Sequence, residues 1–186
     1  MSKSKQPIIA VFGSARVQPD DPVYMQSYEV GAALARAGYI VMTGGYAGLM
    51  AAASQGAAEA GGVVHGITVE KLEAIGESIP NQWLTEEFRY PNLRQRLDHL
   101  IDTADAYVTM PGGMGTAQEF IEVWQLMRLG DIAKHPLITY GDFWTPFIEQ
   151  LLQSAYVSQR DVAYITNVQT TEDLTANLAE WFSKKD

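Results

Sequence analysis

The densest cluster of residues with chemical potential is Pro111-Gly112-Gly113-Met114-Gly115-Thr116, which runs into Glu119 within one helical turn. Glycines at such a point let backbone N–H groups approach an anion closely, and a following helix adds the positive end of its dipole. A glutamate one turn into that helix lies a sugar's width from a phosphate held at its start, the placement that glycosidic cleavage asks of a carboxylate. The Thr116-x-x-Glu119 spacing equally fits a capping box, in which the two side chains satisfy free N–H groups at the helix start. Spacing leaves both open. Upstream, Arg96 either faces the same site or is a solvated helix charge paired with Asp98 or Glu87. Arg94 lies about 200° round the helix from Arg96 and cannot share its face.

Two further glycine-bearing segments follow apolar runs: Gly13-Ser14-Ala15-Arg16, and Thr43-Gly44-Gly45-Tyr46-Ala47-Gly48. One such turn is ordinary between strand and helix. Three on one edge of a sheet favour a phosphorylated or nucleotide-like ligand, with Gly13, Ser14 and Gly45 as contacts besides the Gly113–Thr116 amides. The dinucleotide fingerprint G-x-G-x-x-G is absent after the first run, and so is G-x-x-x-x-G-K-[ST], which removes the usual residues of NAD binding and P-loop ATP chemistry. His99 and His135 have no companions at ligand spacing, so no metal is expected, and His65 reads as a buried, hydrogen-bonded histidine. Trp124, Leu126 and Met127 read as core or as dimer surface.

The elements that must position these groups show as short apolar runs ending in Gly or turn residues, the pattern of a parallel sheet buried on both faces. Ile8–Phe12, Tyr39–Met42, Val63–Ile67, Ala106–Met110, Pro136–Tyr140 and Val162–Ile165 are predicted strands. Val23–Ala37, Ala47–Ala60, Asn92–Thr103, Thr116–Leu129, Trp144–Ser154 and Glu172–Ser183 carry apolar residues at helical spacing. The alternation predicts one Rossmann-like α/β domain over residues 1–186, with a doubly wound, mostly parallel sheet and ligands outside the carboxyl ends of its strands. Glu70 to Tyr90, with Pro80 and Trp83, is the least regular stretch and is expected to be an excursion over those ends.

The length of 186 residues at 47% hydrophobic and 19% charged fits a compact domain with a proper core. A net charge of −9 repels phosphate polymers and anionic lipid surfaces, so neither nucleic acid nor membrane is an expected partner. The absence of cysteine removes thiolate and iron–sulfur chemistry. Ile8–Phe12 is too short for a signal-peptide core, which makes a cytoplasmic location the expectation.

Pro-Gly-Gly-x-Gly-Thr-x-x-Glu at 111–119 with Arg96 fifteen residues ahead of the proline, Gly44-Gly45-x-x-Gly48-Leu49-Met50, and the opening Phe12-Gly13-Ser14 stand in one order along the chain. Together they resemble the LOG (lonely guy) family of cytokinin riboside 5′-monophosphate phosphoribohydrolases, whose members were long labelled possible lysine decarboxylases. The resemblance runs from about residue 8 to 140. It implies a Rossmann-like, usually dimeric protein that hydrolyses the N-glycosidic bond of a nucleoside 5′-monophosphate, AMP or an N6-modified AMP, to free base and ribose 5-phosphate. No metal or organic cofactor is implied. The resemblance makes Arg96 and Glu119 the catalytic pair, puts Gly112, Gly113, Gly115 and Thr116 at the phosphate, and offers Glu73 as a substrate contact. Arg96-Leu97 replaces the family's Arg-Lys, Gln118-Glu119 its Glu-Glu, and Arg128-Leu129-Gly130 its Gln-Leu-Gly, while Gln125 stands where many members have Thr. These departures bear on the base and ribose pocket more than on the hydrolytic pair.

A decarboxylase using pyridoxal phosphate would need a buried Schiff-base lysine. Of the six lysines, Lys3, Lys5, Lys184 and Lys185 lie in the termini and Lys71 and Lys134 in predicted loops. The rival expectation is a non-catalytic nucleotide or phospho-ligand carrier, since molybdenum-cofactor carriers are similar in the Gly-rich loops. The presence of both Arg96 and Glu119 favours the enzyme.

Overall fold

The computed structural model describes residues 6–74 and 79–184. Seven parallel strands form one sheet: β1 (Ile8–Phe12), β2 (Ile40–Thr43), β3 (Val64–Val69), β4 (Glu86–Tyr90), β5 (Ala106–Thr109), β6 (Leu137–Tyr140) and β7 (Ile165–Val168), in the order β4-β3-β2-β1-β5-β6-β7. Between them run α1 (Pro22–Arg36), α2 (Leu49–Glu59), α3 (Glu70–Ala74), α4 (Leu93–Thr103), α5 (Met114–Leu129), α6 (Thr145–Leu152) and α7 (Gln159–Val162), and α8 (Thr171–Ser183) follows the last strand. The chain winds outward from β1 to β4, then crosses back so that β5 pairs with β1 on its other side, Ile9 lying against Ala106. The order therefore reverses between β1 and β5, and a crevice opens there beyond the strand ends.

The period-2 alternation of a strand divides the core in two. Ile9 and Val11 face Val30, Leu34 and Leu49 of α1 and α2, together with Leu174 and Leu178 of α8. Ile8, Ala10 and Phe12 face Leu97 and Leu100 of α4 and Phe120 and Val123 of α5. Each such fully buried aliphatic or aromatic side chain contributes about 1.5–3 kcal/mol, so the strand beside the crevice is anchored on both faces. Helix starts are set locally. Asp21 caps α1, its carboxylate accepting from Val23 N (2.9 Å) with Pro22 in the first turn, and Asn92 caps α4 by accepting from Gln95 N (3.1 Å). Against α1, α2 comes unusually close: a Cβ on Gly31 would lie 2.0 Å from the Ala53 carbonyl oxygen, and one on Gly56 1.9 Å from that of Tyr28.

The larger differences from the sequence expectation lie in two places. The stretch 70–90 contains α3 and the edge strand β4, whose Glu-Glu-Phe-Arg-Tyr is largely exposed and so lacks the apolar run that marks the inner strands. Part of it does fold over a strand end, because Asn81 N donates to Gly45 O (2.8 Å) and Asn81 Nδ2 to Tyr46 O (3.1 Å). The last strand is Ile165–Val168, not Val162–Ile165. Val162 closes α7, which starts at a capping box made by Ser158 and Asp161.

Candidate active site

The loop after β1 is braced from two sides. Ser14 N donates to Pro111 O (3.1 Å), and Ser14 O accepts from Leu49 N at the start of α2 (2.8 Å). Close approach demands glycine at the α2 side: Gly48 has φ 65°, and a Cβ there would meet Ser14 O at 2.2 Å. Within the loop, Arg16 N donates to Ser14 Oγ (3.1 Å), which fixes the oxygen in the turn and leaves its O–H to donate.

After β5, Gly113 occupies the N-cap position of α5 without any side-chain cap. Ala117 N donates to Gly113 O (2.9 Å), so the amides of Met114, Gly115 and Thr116 precede the helical ladder and have no carbonyl of their own helix to bind. They are the positive end of a sixteen-residue helix. Thr116 is therefore inside the helix and Glu119 lies well past its first turn, which excludes the capping-box pairing. Instead, Glu119 is buried, and its Oε1 accepts from Arg96 Nη1 at 2.8 Å. Both side chains are about nine-tenths buried. Arg96 Nε donates to the Ile67 carbonyl of β3 (3.0 Å), so the guanidinium is held at two points and pairs with neither Asp98 nor Glu87. Glu87 accepts from Thr68 Oγ1 (2.6 Å). Room for the guanidinium comes from Gly44, where a Cβ would sit 1.9 Å from Arg96 Nη2. Burial pushes the Glu119 carboxyl above the ordinary glutamate range, and the charge and hydrogen bond of Arg96 oppose that shift.

These groups line one cleft of about 490 Å³ at the switch point, within the range of small-ligand pockets. Its lining brings together Gly13, Ser14, Gly113, Met114, Gly115, Thr116, Arg96 and Glu119 from the sequence expectation. Gly45 and Gly112 stand apart from it. Gly45, at φ 78°, shapes the turn after β2 and donates its N–H to Thr43 Oγ1 (3.1 Å), while Gly112 makes room for Thr116, whose Oγ1 would lie 2.2 Å from a Cβ. The side chain of Glu73 lies outside the described residues. Sequence reading missed Ala15, Arg16, Tyr46, Met50, Leu72 and Leu93, which complete the lining. Arg16 left a signal as a cation three residues past a strand-end glycine, and Met50 as the last residue of the Gly44-Gly45-x-x-Gly48-Leu49-Met50 run. The Tyr46 hydroxyl is spent on the backbone, donating to Val69 O (3.2 Å) and accepting from Val69 N (2.6 Å), so the tyrosine offers the cleft its ring.

His65 is buried outside the lining, edge-on to Phe88, with Nε2 3.8 Å from Glu86, and burial lowers its pKa against the pull of that carboxylate. His135 bonds the Asp105 carbonyl (2.8 Å). Among the described residues no group of three His, Cys, Asp or Glu is placed to hold a metal ion. Trp124 and Met127 are core: Trp124 Nε1 donates to Asp161 O (2.6 Å), and Leu126 packs partly buried against the same cluster. The described lysines, Lys71, Lys134 and Lys184, are all exposed and none lines the cleft. The described residues do not fit pyridoxal phosphate.

A parallel sheet flanked by helices, with its cleft where the strand order reverses, defines the Rossmann-like α/β class. Within that class the chain belongs to the family described as possible lysine decarboxylase, whose profile matches residues 50–178. It is 32% identical over 129 residues to the cytokinin riboside 5′-monophosphate phosphoribohydrolase of Rhodococcoides fascians, covering 68% of this chain and 64% of that protein. To the enzyme of the same name from Mycobacterium marinum (strain ATCC BAA-535 / M) it is 28% identical over 183 residues, 92% and 95% of the two chains. The chain thus spans just under two thirds of the first relative and nearly all of the second. Among solved structures, the molybdenum cofactor binding protein of Rippkaea orientalis superposes with a TM-score of 0.75 at 19% identity, over 96% of this chain and 98% of that one. That likeness is one of fold. No helix among the described residues is long and apolar enough to cross a membrane.

Proposed function

We propose that the protein hydrolyses the N-glycosidic bond of a nucleoside 5′-monophosphate, AMP or an N6-modified AMP, to the free base and ribose 5-phosphate. The observation that carries this reading is the buried Arg96–Glu119 pair, which lines the same cleft as the free amides of α5. The names of the two relatives point to the same reaction.

Cleavage passes through an oxocarbenium-like ribose, and the Glu119 carboxylate is the group that stabilises the positive charge growing at C1′. Electrons of the C1′–N bond leave with the base, a water oxygen bonds to C1′, and that water's proton balances the base. The amides of Met114, Gly115 and Thr116 hold the 5′-phosphate, so binding energy remote from the reacting carbon positions it. Arg96 orients Glu119 and favours its ionised form through the 2.8 Å contact. The reaction as written uses water and neither metal nor organic cofactor.

The test is a panel of nucleoside 5′-monophosphates incubated with the purified protein and assayed by chromatography for released base. Release from at least one, with the matching nucleosides far poorer, is expected. Tight binding with no release would make the protein a nucleotide carrier.

A further inference from the structure

We infer that Arg16 is a second ligand of the substrate's 5′-phosphate and sets the preference for monophosphates over nucleosides. The inference rests on the proposed reaction and adds a residue to it. The charged side chains among the described residues lining the cleft are Arg16, Arg96 and Glu119. Arg96 and Glu119 neutralise each other. A phosphate of about two negative charges must therefore enter a cleft whose internal ion pair is neutral, on a molecule of net charge −9. The α5 amides offer partial charges only. Arg16 carries the one full positive charge in that lining left without an acidic partner among the described residues.

Its surroundings show that this freedom is confined to the side chain. The backbone of the loop is tied to Pro111 and Leu49 through Ser14, the Arg16 N–H is bound to Ser14 Oγ, and the Arg16 carbonyl accepts from Gln18 Nε2 (3.2 Å). Asp20 and Asp21 share a surface hollow with Arg16, yet neither pairs with it, and the Asp21 carboxylate is engaged by Val23 N. A guanidinium on a fixed backbone, in the same cleft as the helix-start amides, suits bidentate phosphate recognition, and only its side chain has to be ordered on binding. No acidic side chain among the described residues pairs with the Arg16 guanidinium.

The experiment compares Arg16→Ala and Arg16→Lys with the unsubstituted protein, using AMP and adenosine as substrates and calorimetric binding of AMP and of inorganic phosphate. Loss of a charge-assisted contact is expected to raise KM for AMP about 10- to 100-fold, with a smaller fall in kcat. The preference for AMP over adenosine should shrink by the same factor, a readout that a purely structural role would not move. Arg16→Lys keeps a point charge without the fork and should fall between. Unaltered KM and unaltered preference in Arg16→Ala, with Glu119→Gln inactive, would overturn the role of Arg16 and leave the reaction standing. Should the unsubstituted protein release no base, the reaction fails and calorimetry decides on Arg16 alone: AMP and phosphate binding weakened in Arg16→Ala supports it, and equal binding refutes it.

Discussion

Replacing Glu119 with glutamine keeps the shape of the side chain and removes its charge, so the group proposed to stabilise the developing cation becomes neutral. The expected result is a fall in kcat of about 100-fold or more with AMP binding largely retained. Near-normal turnover would remove Glu119 from the chemistry. Arg96 permits a separate test through stability. In the folded protein burial already raises the Glu119 pKa, and Arg96 holds part of that rise in check. In Arg96→Met the carboxyl should rise further, so the fold disfavours its ionised form and loses stability as pH climbs above the ordinary glutamate value. The deficit of the variant against the parent, read from urea unfolding, should be small near pH 4 and reach about 3–5 kcal/mol near neutrality. A deficit independent of pH would mean that the pair is not electrostatically coupled. At this scale the sequence was half legible. The types and spacing of Arg96, Glu119 and the glycines were visible in it, whereas the choice between capping box and ion pair depended on where α5 starts, two residues ahead of Thr116.

Among the elements, the approach of α1 to α2 gives a prediction whose sign opposes helix propensity. Alanine is the better helix former by about 1 kcal/mol, yet a methyl group at Gly31 would press on the backbone of Ala53. Gly31→Ala should therefore destabilise by about 1–3 kcal/mol, the usual cost of overpacking, measurable as a lower urea midpoint at unchanged slope. A gain in stability would show that the two helices can part without cost. The inner strands were legible because burial on both faces imposes uninterrupted apolar runs. An edge strand has no such requirement, and β4 was missed for that reason. The displaced reading of β7 has another cause: the apolar residues Val162 and Ile165 belong to two successive elements and look like one.

For the molecule as a whole, a ligand that binds only the folded chain raises its melting temperature by mass action. AMP at about 100 times its Kd, added to Glu119→Gln so that it is not consumed, should contribute about 2.7 kcal/mol, or roughly 5–10 °C for a domain of this size. Adenosine at the same concentration should give a far smaller shift. Equal shifts for both would place recognition on the base and not on the phosphate. The sheet topology also bears on how the protein comes into being. Arg96 precedes Glu119 by 23 residues, and the strand that brings Glu119 into place docks on β1, at the opposite end of the translated segment. While the chain is still leaving the ribosome, the arginine has no carboxylate to meet and β1 is open along one side. Completing the Arg96–Glu119 pair therefore requires β5 to dock on a strand synthesised nearly a hundred residues earlier.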